Sequence, residues 1–212
     1  MSIGIDNSLV CFWDFDGVIK DSVSAKTKAF KKLFMSYGNH LATRVQLHHE
    51  SNCGISRYEK IPLYLEWAGE KVTDEKIERY CSIFSEEVVK EVISSPWVPG
   101  VYEYLLKNYK KQYFVIVTAT PQEEIEKILS MLNIRQCFRE IFGTPTKKEE
   151  AIRLVLKNQK IMASQAIVIG DSVADLYASE INSVPFLLRR TSINIELQNR
   201  FEGRKFDNLI YE

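Results

Sequence analysis

Neither sign of charge is in excess in this chain, where 28 lysines and arginines stand against 28 aspartates and glutamates in 212 residues. Without a global basic field nothing gathers nucleic acid or anionic lipid, and neither partner is expected. Long apolar runs are missing as well, so no segment approaches membrane-spanning length. The opening MSIGIDNSLVCFWDFDG lacks a basic leader and meets Asp6 and Asp14 early, which argues against a signal peptide. Cysteine is sparse. Cys11, Cys53, Cys81 and Cys137 are scattered without CxxC spacing, so neither a zinc site nor a disulfide framework is suggested. Buried thiols in a reducing cytoplasm are the expectation. Internal repeats and low-complexity tracts are absent from the sequence, and nothing in it marks an oligomeric state.

What is present is a series of short apolar runs. Leu9–Trp13, Tyr113–Val117, Ala166–Ile169 and Val184–Leu188 are rich in β-branched or aromatic residues and unbroken by polar alternation. Such runs suit parallel strands buried on both faces. Helical spacing separates the later ones: Val101, Leu105 and Leu106; Ile125, Ile128, Leu129 and Leu132; Ile152, Val155 and Leu156. Thr120 with Glu123, and Thr146 with Glu149, have capping-box spacing ahead of two of these helices, with Pro121 at a first helical position. The fold class is therefore α/β, with a Rossmann-like parallel sheet.

Between about Ser24 and Ser95 the pattern changes. Apolar residues fall at helical spacing in three runs: Ala25, Ala29, Leu33 and Phe34; Ile61, Leu65 and Ala68; and Ile77, Cys81, Phe84, Val88 and Val92. A simple crossover needs about a dozen residues or slightly more. The interval is much longer, so it reads as an inserted all-helical domain over 22–95, with 1–21 and 96–212 forming the α/β core. The Ser94-Ser95-Pro96-Trp97-Val98-Pro99-Gly100 boundary has hinge composition.

In a parallel α/β sheet ligands bind just past the carboxyl ends of the strands. Asp14 and Asp16 follow the first run, Thr118-Ala119-Thr120 the second, and Gly170-Asp171-Ser172 with Asp175 the third. Lys147 and Lys148 precede a helix on the same side. Asp14 and Asp16 project together from extended backbone. With Asp171 they offer hard oxygen ligands suited to Mg²⁺ beside a phosphate. Gly17 permits a tight backbone there, and Thr118 and a lysine suit phosphoryl oxygens. Blander readings stand beside these. Thr118 could be a strand-end hydroxyl, Ser172 with Asp175 a capping box, and either lysine a solvated one. Asp21-Ser22 reads most simply as a helix start.

DFDGVIKDS at 14–22, VTAT over 117–120, TPTKKEEAI around Lys148 and VIGDSVAD at 168–175 resemble, in order, the motifs of the haloacid dehalogenase-like hydrolases. The resemblance is to the branch of phosphoglycolate phosphatase and β-phosphoglucomutase, and it spans almost the whole chain, including a helical cap between the first two motifs. It implies a Mg²⁺-dependent phosphatase acting on a small phosphorylated metabolite. Asp14 would be the nucleophile and Asp16 the acid/base; Thr118, Ala119 and Lys148 would hold phosphate. The metal would take Asp14, the carbonyl of Asp16, Asp171 and Asp175. The two neighbouring carboxylates need different pKa values, which metal ligation of Asp14 and a drier setting for Asp16 would supply. Lys148 is preferred to Lys147 because it falls three residues after Pro145.

Two cap positions carry further expectations. Arg57, in NCGISR at 52–57, matches the specificity loop and is open to a substrate anion, or else solvent-facing behind a Ser56 cap. Lys26 lies ten residues past Asp16, where mutase relatives place a histidine. That departure favours phosphatase over the alternative of a sugar phosphomutase and makes Lys26 a candidate substrate contact. His40, His48 and His49 are expected at the cap surface or between its helices. A receiver-type signalling domain would also group aspartates, a threonine and a lysine, but would leave the insertion unexplained.

Overall fold

A computed structural model describes residues 4–210. These form a six-stranded sheet, parallel throughout, with strand order β3-β2-β1-β4-β5-β6. In chain order the strands are β1 (Val10–Trp13), β2 (Tyr113–Pro121), β3 (Glu140–Thr144), β4 (Ala166–Gly170), β5 (Phe186–Arg189) and β6 (Arg204–Phe206). Four helices, α1 (Val23–Leu33), α2 (Asn39–Ser51), α3 (Arg57–Trp67) and α4 (Asp74–Ser94), lie between β1 and β2. The rest follow the sheet: α5 (Val101–Asn108), α6 (Gln122–Met131), α7 (Lys148–Gln159), α8 (Val173–Ile181) and α9 (Ile195–Arg200).

The central strands have no solvated face. Val10 and Phe12 pack with Val115, Val168, Ile152 and Val155 on one side, while Cys11 and Trp13 pack with Phe114, Ile116 and Ile169 on the other. Each large side chain buried in this way contributes roughly 1.5–3 kcal/mol. The second cluster continues through Val18, Ile19 and Val98 into Phe30, Phe34, Tyr64, Phe84 and Val88, so the inserted helices share apolar contacts with the sheet. The two connecting segments lie side by side. Asp21 N–H donates to the Pro96 carbonyl at 2.8 Å, and Val98 N–H to that of Ile19 at 3.0 Å. Buried Lys20 donates to the Ile93 carbonyl at 3.0 Å and lies over the Trp97 ring.

Four elements escaped the sequence reading, among them the short α9. Strand β3 has only the short EIFGT segment, and β6 is half-exposed with two charged residues, so neither shows an apolar run. Helix α2, NHLATRVQLHHES, buries Leu41, Ala42, Val45 and His49 on an otherwise polar surface. Two caps also differ. β2 runs on to Pro121, so α6 starts at Gln122 and Thr120 is a strand residue rather than a cap. Helix α7 starts at Lys148, and Thr146 N–H closes a turn onto the Gly143 carbonyl rather than its hydroxyl capping the helix. Ser172 and Asp175 do form the expected box at α8. Among the described residues no helix is long and apolar enough to cross a membrane, and all four cysteines are free thiols.

A buried ion pair ties the inserted helices to the core. The Arg57 guanidinium of α3 makes two hydrogen bonds, at 2.9 and 2.5 Å, to the Glu124 carboxylate in the first turn of α6. Ser85 of α4 donates to the same carboxylate. Removing one partner strands a buried charge, a loss of about 3–5 kcal/mol. Glu124→Ala is expected to lower the unfolding free energy by about that amount, and replacing both residues by apolar ones of similar volume should recover most of it. Urea unfolding of the single and double variants checks this, and a single-variant loss under about 1 kcal/mol would show an exposed, weak pair.

Candidate active site

Strand register brings the motif residues to one edge. Trp13 pairs with Ile169 of β4 and with Ile116 of β2, and Asp14 N–H donates to the Ile169 carbonyl at 2.9 Å. Asp14, Thr118 and Asp171 therefore leave three adjacent strands at nearly one level, all buried. Between them Gly17 takes φ +78°, a conformation that favours glycine, and a methyl there would collide with the Asp171 carboxylate. Asn194 Nδ2 donates to the Asp171 carbonyl at 2.6 Å, so the C-terminal region, for which the sequence suggested no role, positions this loop.

Asp14, Asp171 and Asp175 each bring a carboxylate oxygen within 4.8 Å of the others. Lys148 Nζ lies 2.6 Å from Asp175 and 3.1 Å from Asp14. Lys147, its neighbour, is exposed. Burial, then Asp175, pushes the Asp14 carboxyl up to about 7, although Lys148 opposes the rise. Burial, then Asp14 and Asp175, holds Asp171 well above the carboxylate range. Lys148 keeps its proton against burial because Asp14 and Asp175 face it. Three buried carboxylates against one ammonium leave surplus negative charge on an all-oxygen donor set. That set fits a hard divalent cation such as Mg²⁺.

Asp16 belongs to a different group. Its carboxylate accepts from Lys26 Nζ at 2.5 Å, Ser22 Oγ at 2.6 Å and Thr120 Oγ1 at 3.3 Å, and Lys26 also donates to Thr120 at 2.8 Å. Burial opposes its charge, but Lys26 and the two hydroxyls hold its carboxyl below the usual range. In the metal-free protein the two acids are thus tuned opposite to the sequence expectation, because an ammonium contacts Asp16 while Asp14 meets other carboxylates. Ser22 and Thr120 were read as helix signals and stand here as ligands of Asp16. A strand-end hydroxyl and a cap hydroxyl look alike in sequence. Asp21 points away, 3.6 Å from Arg189.

Residues 11–188 match the model of the haloacid dehalogenase-like hydrolases. The chain belongs to this family. It is 25% identical over 174 residues to a phosphorylated carbohydrates phosphatase of Thermotoga maritima, covering 79% of this chain and 78% of that one. It is 27% identical over 184 residues to a phosphoglycolate phosphatase of Pseudomonas savastanoi pv. phaseolicola, covering 83% of this chain and 66% of the relative, just under two thirds. Two solved structures share the fold. A predicted phosphoglycolate phosphatase from Haemophilus somnus superposes with TM-score 0.72 at 15% identity over 96% of each chain. A mutant CbbY from Rhodobacter sphaeroides in complex with xylulose-(1,5)bisphosphate gives 0.75 at 14% identity over 95% of each.

The inserted helices roof this haloacid dehalogenase-like site. The loop at 52–56 sits directly on the GDSxxD loop, where a methyl on Gly54 would collide with Ser172 and Ala174. Ser56 caps α3, accepting from Tyr58 N–H at 3.3 Å. Arg57 is neither solvent-facing nor free for a substrate anion; it is buried against Glu124. Lys26, a candidate substrate contact, lines the cavity but is engaged with Asp16. His40 is exposed and His48 bonds Tyr64 of α3 at 3.0 Å, whereas His49 is buried and lines the cavity. Between roof and edge the space is only about 30 Å³, about one water molecule.

The raised Asp14 gives a pH test. A carboxyl whose folded pKa is about 7 against 3.8 binds its proton more tightly when folded, so its contribution to stability falls as pH rises between those values. Asp16, held low, acts only below that window. Without divalent metal, Asp14→Asn should therefore gain stability relative to wild type between about pH 5 and about pH 7.5, and millimolar Mg²⁺ should narrow the gap. Urea unfolding with EDTA or Mg²⁺ reads both effects. A gap independent of pH would contradict the assignment.

Proposed function

We propose that the protein is a Mg²⁺-dependent phosphatase that hydrolyses a small-metabolite phosphomonoester through an aspartyl-phosphate on Asp14. The observation that carries this reading is the meeting of buried Asp14 with Lys148, Asp171 and Asp175, with Asp16 alongside in a separate hydrogen-bonded group. The names of the relatives, a carbohydrate-phosphate phosphatase and a phosphoglycolate phosphatase, support the same class. In this reading 1–21 and 96–212 form the catalytic core and 22–95 a cap that opens, since the closed cavity is too small for a phosphomonoester. Free thiols suit the cytoplasm.

An oxygen of Asp14 attacks phosphorus as the ester P–O bond breaks, and Asp16 gives its proton to the departing alcohol oxygen. Asp16 then takes a proton from water, whose oxygen attacks the phosphorus and returns Asp14 as a carboxylate. Lys148 and the groups at Thr118 and Ala119 receive the phosphoryl oxygens. Asp14, Asp171 and Asp175, with the Asp16 carbonyl, would hold Mg²⁺, which when bound offsets charge on the phosphoryl group. Because Lys26 favours the anion of Asp16, the free enzyme is set for the second step. The first step needs the proton that an arriving phosphate dianion favours there. The lid excludes bulk water meanwhile.

Phosphate release from a panel of phosphorylated metabolites tests the reading. Activity should need Mg²⁺, fall with chelator, and drop about a thousandfold or more in kcat for Asp14→Asn. Equal rates for wild type and variant would remove Asp14 as nucleophile. Isomerised sugar phosphate without free phosphate would instead indicate a phosphomutase. Lys26→Met should move the acidic limb of the kcat profile upward by about 1–3 pH units; an unmoved limb would separate Lys26 from the acid/base.

A further inference from the structure

Among the described residues lining the cavity, Lys60 is a cation that the mechanism leaves unused and that no carboxylate pairs. Lys60, on α3 and 2% exposed, lines it together with Asp14 and Asp16. Lys26 and Lys148 are matched by carboxylates, and Arg57 by Glu124. Lys60 instead contacts His49 Nδ1 at 3.0 Å, with the Phe30 ring 5.7 Å away. When Lys60 is an ammonium it has only protons to donate, so His49 Nδ1 then accepts and the ring proton sits on Nε2. That Nε2 is buried and has no partner, although His49 is 2% exposed and lines the same cavity. Among the described residues, then, a buried cation has no counter-ion and the ring beside it leaves a buried N–H without an acceptor, which is costly unless something completes them.

We propose that Lys60, positioned by His49, forms a subsite for a second anionic group on the substrate, so that the enzyme selects phosphomonoesters whose non-reacting end carries an oxyanion. The proposal rests on the phosphatase reading and deepens it. Lys60 contributes an ionic hydrogen bond from a proton that His49 does not take, and His49, accepting at Nδ1, positions it. Lys60 lines the same cavity as Asp16, the group that meets the departing oxygen in the proposed reaction. Burial lowers the Lys60 ammonium to about 7 in the empty cavity, and burial together with Lys60 keeps His49 neutral. Arg57 also lines the cavity, but Glu124 holds two of its N–H groups and balances its charge.

Phosphoglycolate and 2-hydroxyethyl phosphate, equal in length and different in the charge of the far end, provide the test. Wild type should prefer the carboxylate about ten- to hundredfold in kcat/KM, the range of one to two charge-assisted hydrogen bonds. Lys60→Met should erase the preference through KM while changing turnover of the hydroxyl ester less than about threefold. Lys60→Arg should restore part of it, and His49→Phe should remove part. A two-carbon bisphosphate in the same panel tells whether carboxylate or phosphate is the better-fitting oxyanion. Calorimetric titration of Asp14→Asn with both esters, with and without Lys60→Met, reads the subsite without turnover. An unchanged binding ratio in the folded double variant overturns the subsite. No phosphate release by wild type, with a ratio that still depends on Lys60, overturns the phosphatase reading and leaves the subsite standing.

Discussion

Four carboxylates, Asp14, Asp16, Asp171 and Asp175, are gathered at the carboxyl edge of a sheet whose neighbouring surfaces are apolar, and the ammonium groups in contact with them are those of Lys26 and Lys148. Four acids against two lysines leave a formal charge of −2, and burial makes that charge expensive. Everything else at this edge can be understood as managing it. Lys148 stands at the start of α7, where the helix dipole disfavours a cation, and is held there by two carboxylates. Asp175 is both the third residue of a capping box and a partner of Lys148. A divalent cation has the opposite charge and suits the donor set, which is why the metal-free site is strained electrostatically rather than conformationally.

The sheet and the inserted helices contribute in different ways. Parallel register fixes Asp14 and Asp171, just past β1 and β4, beside Thr118 within β2, and the packing of Phe12, Trp13, Phe114 and Ile169 makes that register costly to slip. The helices supply what strand ends cannot: Lys26 from α1 against Asp16, and His49 and Lys60 from α2 and α3 facing the cavity. Arg57, Ser85 and Glu124 hold these helices down, so closure of the roof and assembly of the Asp16 group are two results of one arrangement. Opening would break a buried ion pair, which sets an energetic threshold between the closed state and substrate entry.

Much of the fold was legible because buried parallel strands write themselves as unbroken apolar runs, as VCFW and AIVIG do. The short β3 and the charged β6 write nothing comparable, and α2 shows only four inward residues on a polar helix. At the site, Asp14, Asp16 and Asp171 could be picked from spacing, since few other roles put acids just past strand ends, whereas Lys148 was singled out from Lys147 only by the family resemblance. Thr120 could not, because a threonine before proline has the same letters whether it caps a helix or bonds a carboxylate. Arg57 failed for a related reason. Its partner Glu124 lies 67 residues away, and no local pattern records a pairing across the cleft. Lys60 and His49 are hidden among ordinary helical residues, since a lysine on an amphipathic helix usually faces water.

The two central acids show why local sequence cannot set a pKa even when it names the residues. Asp14 and Asp16 are two positions apart, yet one is raised and the other lowered. The sign follows from which charge each meets: Asp175 for Asp14, Lys26 for Asp16, contributed by elements more than a hundred residues apart in the chain. Bound metal and substrate would act on this balance in opposite senses, the cation lowering Asp14 towards the anion a nucleophile needs and the phosphate dianion raising Asp16 towards the acid that a leaving group needs. An empty site tuned the wrong way round for attack is then consistent with a working enzyme. On the proposed mechanism, the protonation states needed for attack would arise when both ligands are in place.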